Sequence, residues 1–402
     1  RYGTFPAVGV GWAMHEENWL KNVGWLNQLK LRSSYGVVGS DAGIPNNIQT
    51  AYVNRVNGVF GRDPASVTTS EVLDMVIDYG LHWEEARQFD LGLDFRALNN
   101  RLTLEFDYYI KTTANILTNI TLPGISGSTY SPLSNIAKAR NTGIEFNIGW
   151  RENRGDFSYD LSLIGTTLKN KVVSVNQNLP PLENGANVTK VGYPIGGFWG
   201  YEVLGIYQNK QIIEETASID GATPGDLWYK DQNGDGVIDA NDRTSLGYPT
   251  VPEILYGFGA SVNYKRWDFS FFFQGTARVS LRMYDMHPFR DNQYSGFNMT
   301  QYVADDHWSE ADPNPNAAYP RLDYRYNANN TQTSSFWIKN GSYLRLKSVE
   351  LGFTYKSLRA YLAGTNLFII SPFKYWDPEM GSGNGLKYPL QRVVKLGLQY
   401  NF

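Results

Sequence analysis

Apolar and polar residues alternate with a period of two along much of the chain. Leu29, Leu31, Ser33, Tyr35 and Val37 alternate with Lys30, Arg32, Ser34 and Gly36. Phe89, Leu91, Leu93 and Phe95 alternate with Asp90, Gly92, Asp94 and Arg96, and after Asn99-Asn100 the pattern resumes. There Leu102, Leu104, Phe106 and Tyr108 alternate with Arg101, Thr103, Glu105 and Asp107. Such a period places one set on each face of a strand. Asn tolerates positive φ, so Asn99-Asn100 predicts a tight hairpin turn. Similar hairpins are predicted at 144–163 around Asn153-Arg154-Gly155, at 256–273 around Lys265-Arg266, and at 349–370 around Lys356-Ser357. Residues 2–13 predict a first strand, and Leu396, Leu398, Tyr400 and Phe402 predict a last one.

The connections alternate as well. The hairpin turns are a few residues long. The intervening stretches 39–83, 115–138, 176–253, 282–341 and 371–387 are long and rich in Gly, Pro, Asn, Asp and Ser, which marks loops. Outer-membrane barrels have short periplasmic turns and long extracellular loops, and here every short turn falls on the same side. A compact soluble domain rarely needs loops beyond about 15 residues. The expected fold is therefore all-β, a transmembrane antiparallel β-barrel with long extracellular loops. About eleven strands are countable, and an antiparallel barrel closes only with an even number. The remaining strands are expected upstream of Arg1, which is neither a Met nor part of a signal peptide. The alternative, a soluble sandwich, would leave the last strand as an apolar exposed edge.

Composition narrows the choice. No stretch of about 18 apolar residues predicts a membrane helix, but alternating barrel strands dilute that signal. Tyr, Trp and Phe make 14% of the 402 residues, which suits lipid-facing girdles. The absence of Cys rules out disulfides and thiolate metal sites. A net charge of −3 argues against a nucleic-acid partner.

The sharpest local motif is Asp231-Gln-Asn-Gly-Asp-Gly-Val-Ile-Asp-Ala-Asn-Asp242. The ligand positions of a calcium loop fall on Asp231, Asn233, Asp235, Val237 through its carbonyl, Asp239 and Asp242, with Gly236 at the sharp turn. Position 12 is Asp rather than the bidentate Glu of an EF-hand, and no flanking helix is predicted. The expectation is a structural Ca²⁺; the competing reading is a turn held by Asx bonds. Aromatic residues flank this loop: Phe198, Trp199, Tyr201, Tyr207, Trp228 and Tyr229. Trp199, Tyr201 and Trp228, with Trp308 and Trp376, are candidate ligand or partner contacts, weighed against a role in a small core holding the loop together. Catalysis finds no motif. The four His residues (15, 82, 287 and 307) are scattered, and there is no HExxH pair, nucleophile elbow or phosphate loop.

The chain resembles SusC/RagA-type TonB-linked outer membrane proteins of the Bacteroidetes. The resemblance runs through Phe5-Pro-Ala-Val-Gly-Val-Gly-Trp12, Leu29-Lys-Leu-Arg-Ser-Ser-Tyr-Gly36, Leu81-His-Trp-Glu84 and Asn141-Thr-Gly-Ile-Glu145. It continues through Gly225 to Asp239, Phe271-Phe-Phe-Gln-Gly275, Tyr343-Leu-Arg-Leu-Lys347, Gly364-Thr-Asn-Leu367 and Asp377-Pro-Glu379. Each motif is common alone; their order is specific. The resemblance implies the C-terminal part of a barrel of about 22 strands, in the outer membrane of a Gram-negative bacterium. It implies an upstream plug, energy coupling through TonB-ExbB-ExbD, and a SusD-like surface lipoprotein that helps capture glycan or peptide nutrients. It also implies that the terminal Phe402 belongs to the assembly signal. The alternatives are a siderophore-type receptor without a lipoprotein, a structural or secretion-associated barrel, and a soluble β-rich enzyme.

Overall fold

A computed structural model describes residues 3–42, 53–59, 67–73, 80–119, 133–175, 182–286, 288–289, 298–323 and 326–402. Eleven strands form a continuous antiparallel sheet, each paired with the next in chain order. They are β1 (Ala7–Ala13), β2 (Leu26–Ser40), β3 (Glu84–Ala97), β4 (Leu102–Asn119) and β5 (Leu133–Arg154). They continue as β6 (Phe157–Ser174), β7 (Ile254–Tyr264), β8 (Trp267–Ala277), β9 (Tyr343–Tyr355), β10 (Leu358–Thr365) and β11 (Val393–Tyr400). Ile369–Ile370 adds a short twelfth segment beside the start of β9. Val53–Val59 and Val67–Leu73 form a separate hairpin.

Register explains the two faces. In the β7–β8 hairpin, Ala260 lies opposite Phe271 and Val262 opposite Phe269, while Ser261 lies opposite Ser270 and Asn263 opposite Asp268. In these four rows one face is apolar and the other polar, with Phe272, opposite Gly259, as an apolar exception on the polar face. The apolar face stays uncovered: Leu396 is 81% exposed, and Phe269, Leu351 and Leu362 are exposed too. An uncovered apolar face across a whole sheet fits hydrocarbon, not water. Aromatic side chains gather at the short-turn ends, as in Trp25 against Phe95, Phe157 against Tyr264, Trp267 against Phe353 and Tyr400 against Phe402. That row is an interfacial girdle.

On the polar face, charges are paired across strands. Arg32 on β2 reaches Asp94 on β3 at 3.0 Å and Asp107 on β4 at 2.7 Å. Its guanidinium lies over Gly92, where a Cβ would stand 2.5 Å from the Asp107 carboxylate. Arg359 on β10 pairs in the same manner with Asp268 on β8 and Glu350 on β9. It lies over Gly352, where a Cβ would come within 2.6 Å of its Nη2. Each glycine makes room for a bridging guanidinium.

The structure corrects one boundary. The stretch 115–138, expected as a loop, is strand up to Asn119 and again from Leu133; residues 120–132 lie outside the described part. Beyond the hydrocarbon belt both faces of β4 meet water, so Lys111, Thr112 and Thr113 carry no apolar alternation although the ladder continues. Asn135 ties this extension down. Its side chain donates to the carbonyls of His82 and Asn115 and accepts from the His82 N–H.

Buried side chains concentrate above the sheet, not within it. Residues 182–253 and the described parts of 280–341, joined by Phe373 from the connection before β11, form a loop layer with two hydrophobic clusters. One is built on Leu281, Met283, Val303, Tyr319, Trp337 and Phe373, the other on Tyr201, Ile206, Leu227, Tyr229, Ile238 and Trp308. Phe336 packs against both.

Candidate functional site

Asp226 joins the two long excursions of the loop layer. It is 1% exposed. Its Oδ1 accepts hydrogen bonds from Arg321 Nε at 2.7 Å, Asn327 Nδ2 at 2.8 Å and Asn330 Nδ2 at 3.0 Å. Its Oδ2 accepts from the Thr223 N–H at 2.9 Å. Asn330 in turn accepts from the Leu227 N–H, and Asn329 donates to the Leu227 carbonyl. The short strand Leu227–Tyr229 is thereby clasped by side-chain amides where its backbone lacks a second strand. A buried carboxylate held by three such donors and an Arg is a satisfied network.

The aromatic candidates separate into two groups. Tyr201 and Trp308 are buried in a cluster, Tyr201 against Tyr229 and Trp308 with its indole N–H donating to Gln208. Trp228 stacks on Tyr207, and Trp376 packs on Phe373 while donating to the Gly381 carbonyl. Burial makes Trp308 a core residue and leaves it no face for a ligand. Trp199 and Tyr201 keep an edge on open space, because both line a cavity of about 390 Å³ between the two excursions.

That cavity also receives Arg243, Arg282, Asp285, Tyr326, Thr331, Gln332, Thr333 and Trp337. Sequence reading singled out none of these. They come from stretches up to roughly 90 residues apart, so no local spacing reveals them. Arg243 lies over the Tyr201 ring and pairs with Glu183 at 2.9 Å.

The calcium-like loop adopts a compact turn. Asp231 accepts from the N–H groups of Gly234 at 2.6 Å and Gly236 at 2.8 Å, and the Gly236 bond, with its neighbours, holds the Asp231 carboxyl below its usual range. Asp235 accepts from the Val237 N–H, and Asp239 caps the 3-10 turn Ala240–Asp242 in a capping box with Asp242. Asp242 is completely buried and accepts from the N–H groups of Gln232 and Asp239. The neighbouring bases turn elsewhere, Lys230 to Glu202 and Arg243 to Glu183. The donors are oxygens of the type a hard cation takes. Among the described residues, however, no three acidic or His side chains converge on a common metal position.

Two motifs distant in sequence meet at the rim. Arg345 of the Tyr343 to Lys347 motif is 3% exposed on its side chain and pairs with Asp377 at 2.5 Å and Glu379 at 3.0 Å. Lys347 holds the other Glu379 oxygen at 2.8 Å. Burial pushes the Glu379 carboxyl up, but Lys347 and Arg345 outweigh it and hold it below its usual value. The connection before β11 is thereby latched to β9.

Four similarities bear on identity. The family described as TonB dependent receptor-like, beta-barrel, matches residues 1–367. TonB-dependent receptor P26 of Formosa agariphila is 30% identical over the whole chain, which covers 42% of that protein. TonB-dependent receptor SusC of Bacteroides thetaiotaomicron is 28% identical over the whole chain, covering 40% of it. The chain thus spans about two-fifths of the length of these relatives, both described as TonB-dependent receptors. Among solved structures, one of the RagAB peptide transporter superposes with a TM-score of 0.78 at 23% identity, over 99% of this chain and 43% of that one. The open sheet with its lipid-facing flank, its girdle and its one-sided loop layer is the wall of such a barrel. The chain belongs to the TonB-dependent receptor-like β-barrel family and is an outer-membrane protein.

Proposed function

We propose that the complete protein imports glycan or peptide nutrients across the outer membrane, driven through TonB-ExbB-ExbD and assisted by a SusD-like surface lipoprotein. The observation that carries this reading is the loop layer. Two long excursions are packed into one ordered body on a single side of the barrel wall, where a ligand would be captured and a lid would rest. A channel that only conducted would not need that body. The likeness to SusC, and to a transporter described as importing peptides, supports the same reading. The test is deletion of the gene followed by uptake of single glycans and peptides, with affinity purification of the tagged protein. Loss of uptake of one nutrient class and co-purification of a lipoprotein are expected. Unchanged uptake of every nutrient overturns the transporter reading, and purification without a lipoprotein overturns the lidded form.

A structural Ca²⁺ in the 231–242 loop is part of the proposal. Four carboxylates, none with a basic partner among the described residues, support it. The ion would be gathered by Asp231, Asn233, Asp235, Asp239, Asp242 and the Val237 carbonyl, and would stiffen the loop without taking part in transport chemistry. A chelator is expected to increase protease cleavage within 182–253. An unchanged digestion pattern, with no metal retained on gel filtration, removes the ion from the proposal.

A further inference from the structure

We propose that the cavity between the two excursions recognises an anionic group, a carboxylate or sulfate, carried on a sugar unit, with Arg282 as the recognising cation. The assignment rests on the uptake reading and gives it a substrate class.

The starting point is the short strand Ser280–Arg282. Its backbone is taken on both sides. Ile338–Asn340 pairs along one edge. On the other, the Arg282 N–H donates to Ser382 Oγ at 3.0 Å and the Gly383 N–H donates to the Arg282 carbonyl at 2.9 Å. A ligand in the cavity therefore meets side chains and finds no free main-chain edge on this strand. Extended peptides are commonly held through such an edge, and its occupation favours a sugar over a peptide.

The Arg282 side chain is the second observation. Its Cζ lies 5.2 Å from the centre of the Tyr284 ring, and its Nε is covered with no acceptor. No hydrogen bond or ion pair joins its guanidinium to another described residue. The other loop-layer guanidiniums differ: Arg243 has Glu183, Arg321 has Asp226 and Arg345 has Asp377. Asp285 also lines the cavity, but it is exposed and not bonded to Arg282. Burial weakens Arg282 as a cation without discharging it. A half-buried cation with no bonded partner among the described residues is costly, and an entering oxyanion relieves that cost with two parallel N–H bonds.

The rest of the wall suits a sugar ring. Thr331, Gln332 and Thr333 bring hydroxyl and amide groups to the same space, beside the edges of Trp199 and Trp337. A volume of about 390 Å³ lies within the range of small-ligand sites, about 300–1,000 Å³.

The experiment is calorimetric titration of the full-length protein in detergent. The probes are trigalacturonate, a sulfated galactose trisaccharide, neutral galactotriose and a short acidic peptide. An anionic sugar is expected to bind about tenfold or more tightly than the neutral one. Preference for the carboxylated or the sulfated probe supports the assignment and tells which anion is meant. Arg282→Gln is expected to abolish the preference, and Arg282→Lys to restore part of it. Asp285→Asn, at an exposed position, is expected to tighten anionic binding a few-fold and checks the charge argument without altering Arg282. Equal binding of charged and neutral sugars, a preference kept in Arg282→Gln, or a preference for the peptide overturns the assignment. Uptake and lipoprotein co-purification are read separately, so the transporter reading can stand when this one falls.

Discussion

Phe271 on β8 lies between Ala260 on β7 and Val349 on β9, and each neighbour follows from the ladder once the hairpin turns are known. Asp226 in the loop layer lies against Arg321, 95 residues further along, and no ladder leads from one to the other. The wall stores its instructions locally: residue, face, partner. The loop layer stores them in contacts between distant polar side chains, which are satisfied only when all the others are in place. A mutation in the wall should therefore act through which solvent it faces, and one in the loop layer through whether a network survives.

Asp226→Ala is the harshest test of that contrast. It leaves Arg321, Asn327 and Asn330 with donors aimed at an empty position. We expect a local loss of about 3–5 kcal/mol, read as rapid proteolysis within 182–253 and 298–341 while the β-signal of the wall is unchanged. Wall and loop layer unfolding together would show that they are one cooperative unit and would break the comparison.

Next in size is a pair of charges in adjacent rows of β8. Phe271→Arg puts a cation on the lipid face and should cost about 2–4 kcal/mol near the bilayer midplane. Ser270→Arg puts the same cation on the opposite face, beside Glu350, and should insert normally. Equal loss of folded barrel from both variants would contradict the assignment of faces.

A smaller effect is expected from pH at the rim latch. Glu379 has its carboxyl held below the usual glutamate value of 4.5. A depressed carboxyl contributes stability that is fully present above its unfolded value and fades as pH falls through the lower folded one. Hydrogen-exchange protection in 371–392, taken relative to the intrinsic rate at each pH, should accordingly fall as the medium is taken below 4.5, and Glu379→Gln should show the lower protection already at neutral pH. Protection that does not change with pH in the native protein would remove the latch. The smallest change in equilibrium stability is expected for Phe402→Ala, since Phe402 is fully exposed and touches Tyr400 alone among aromatic rings. If the terminal aromatic is an assembly signal, yield of inserted barrel falls while the thermal stability of what does insert stays the same; unchanged yield would end that role.

Legibility followed the same division. The hairpins around Asn99-Asn100, Lys265-Arg266 and Lys356-Ser357 were readable because alternation and turn chemistry agree, and Asn99, Asn100, Lys265 and Lys356 all take the positive φ those turns require. The upper ends of β4 and β5 were not, because a strand wet on both faces has no period to read. The Tyr343 to Lys347 and Asp377 to Glu379 motifs could be noticed in sequence, yet only Arg345 between them shows what they do. Trp308 and Trp199 looked alike in sequence. One is sealed in a cluster and the other lines a cavity, since aromatic composition does not say which side of a loop becomes the inside.

From its own residues the chain determines that it crosses a membrane as strands, which flank meets lipid and on which side the long loops lie. A two-residue period encodes all of that between neighbours. Tertiary structure alone decided that Asp226 fastens the two excursions, that Arg282 has no bonded counter-charge among the described residues, and that Arg243 and Trp199 share its cavity. Those relations join residues far apart in sequence, through side-chain directions that exist only after the backbone has folded.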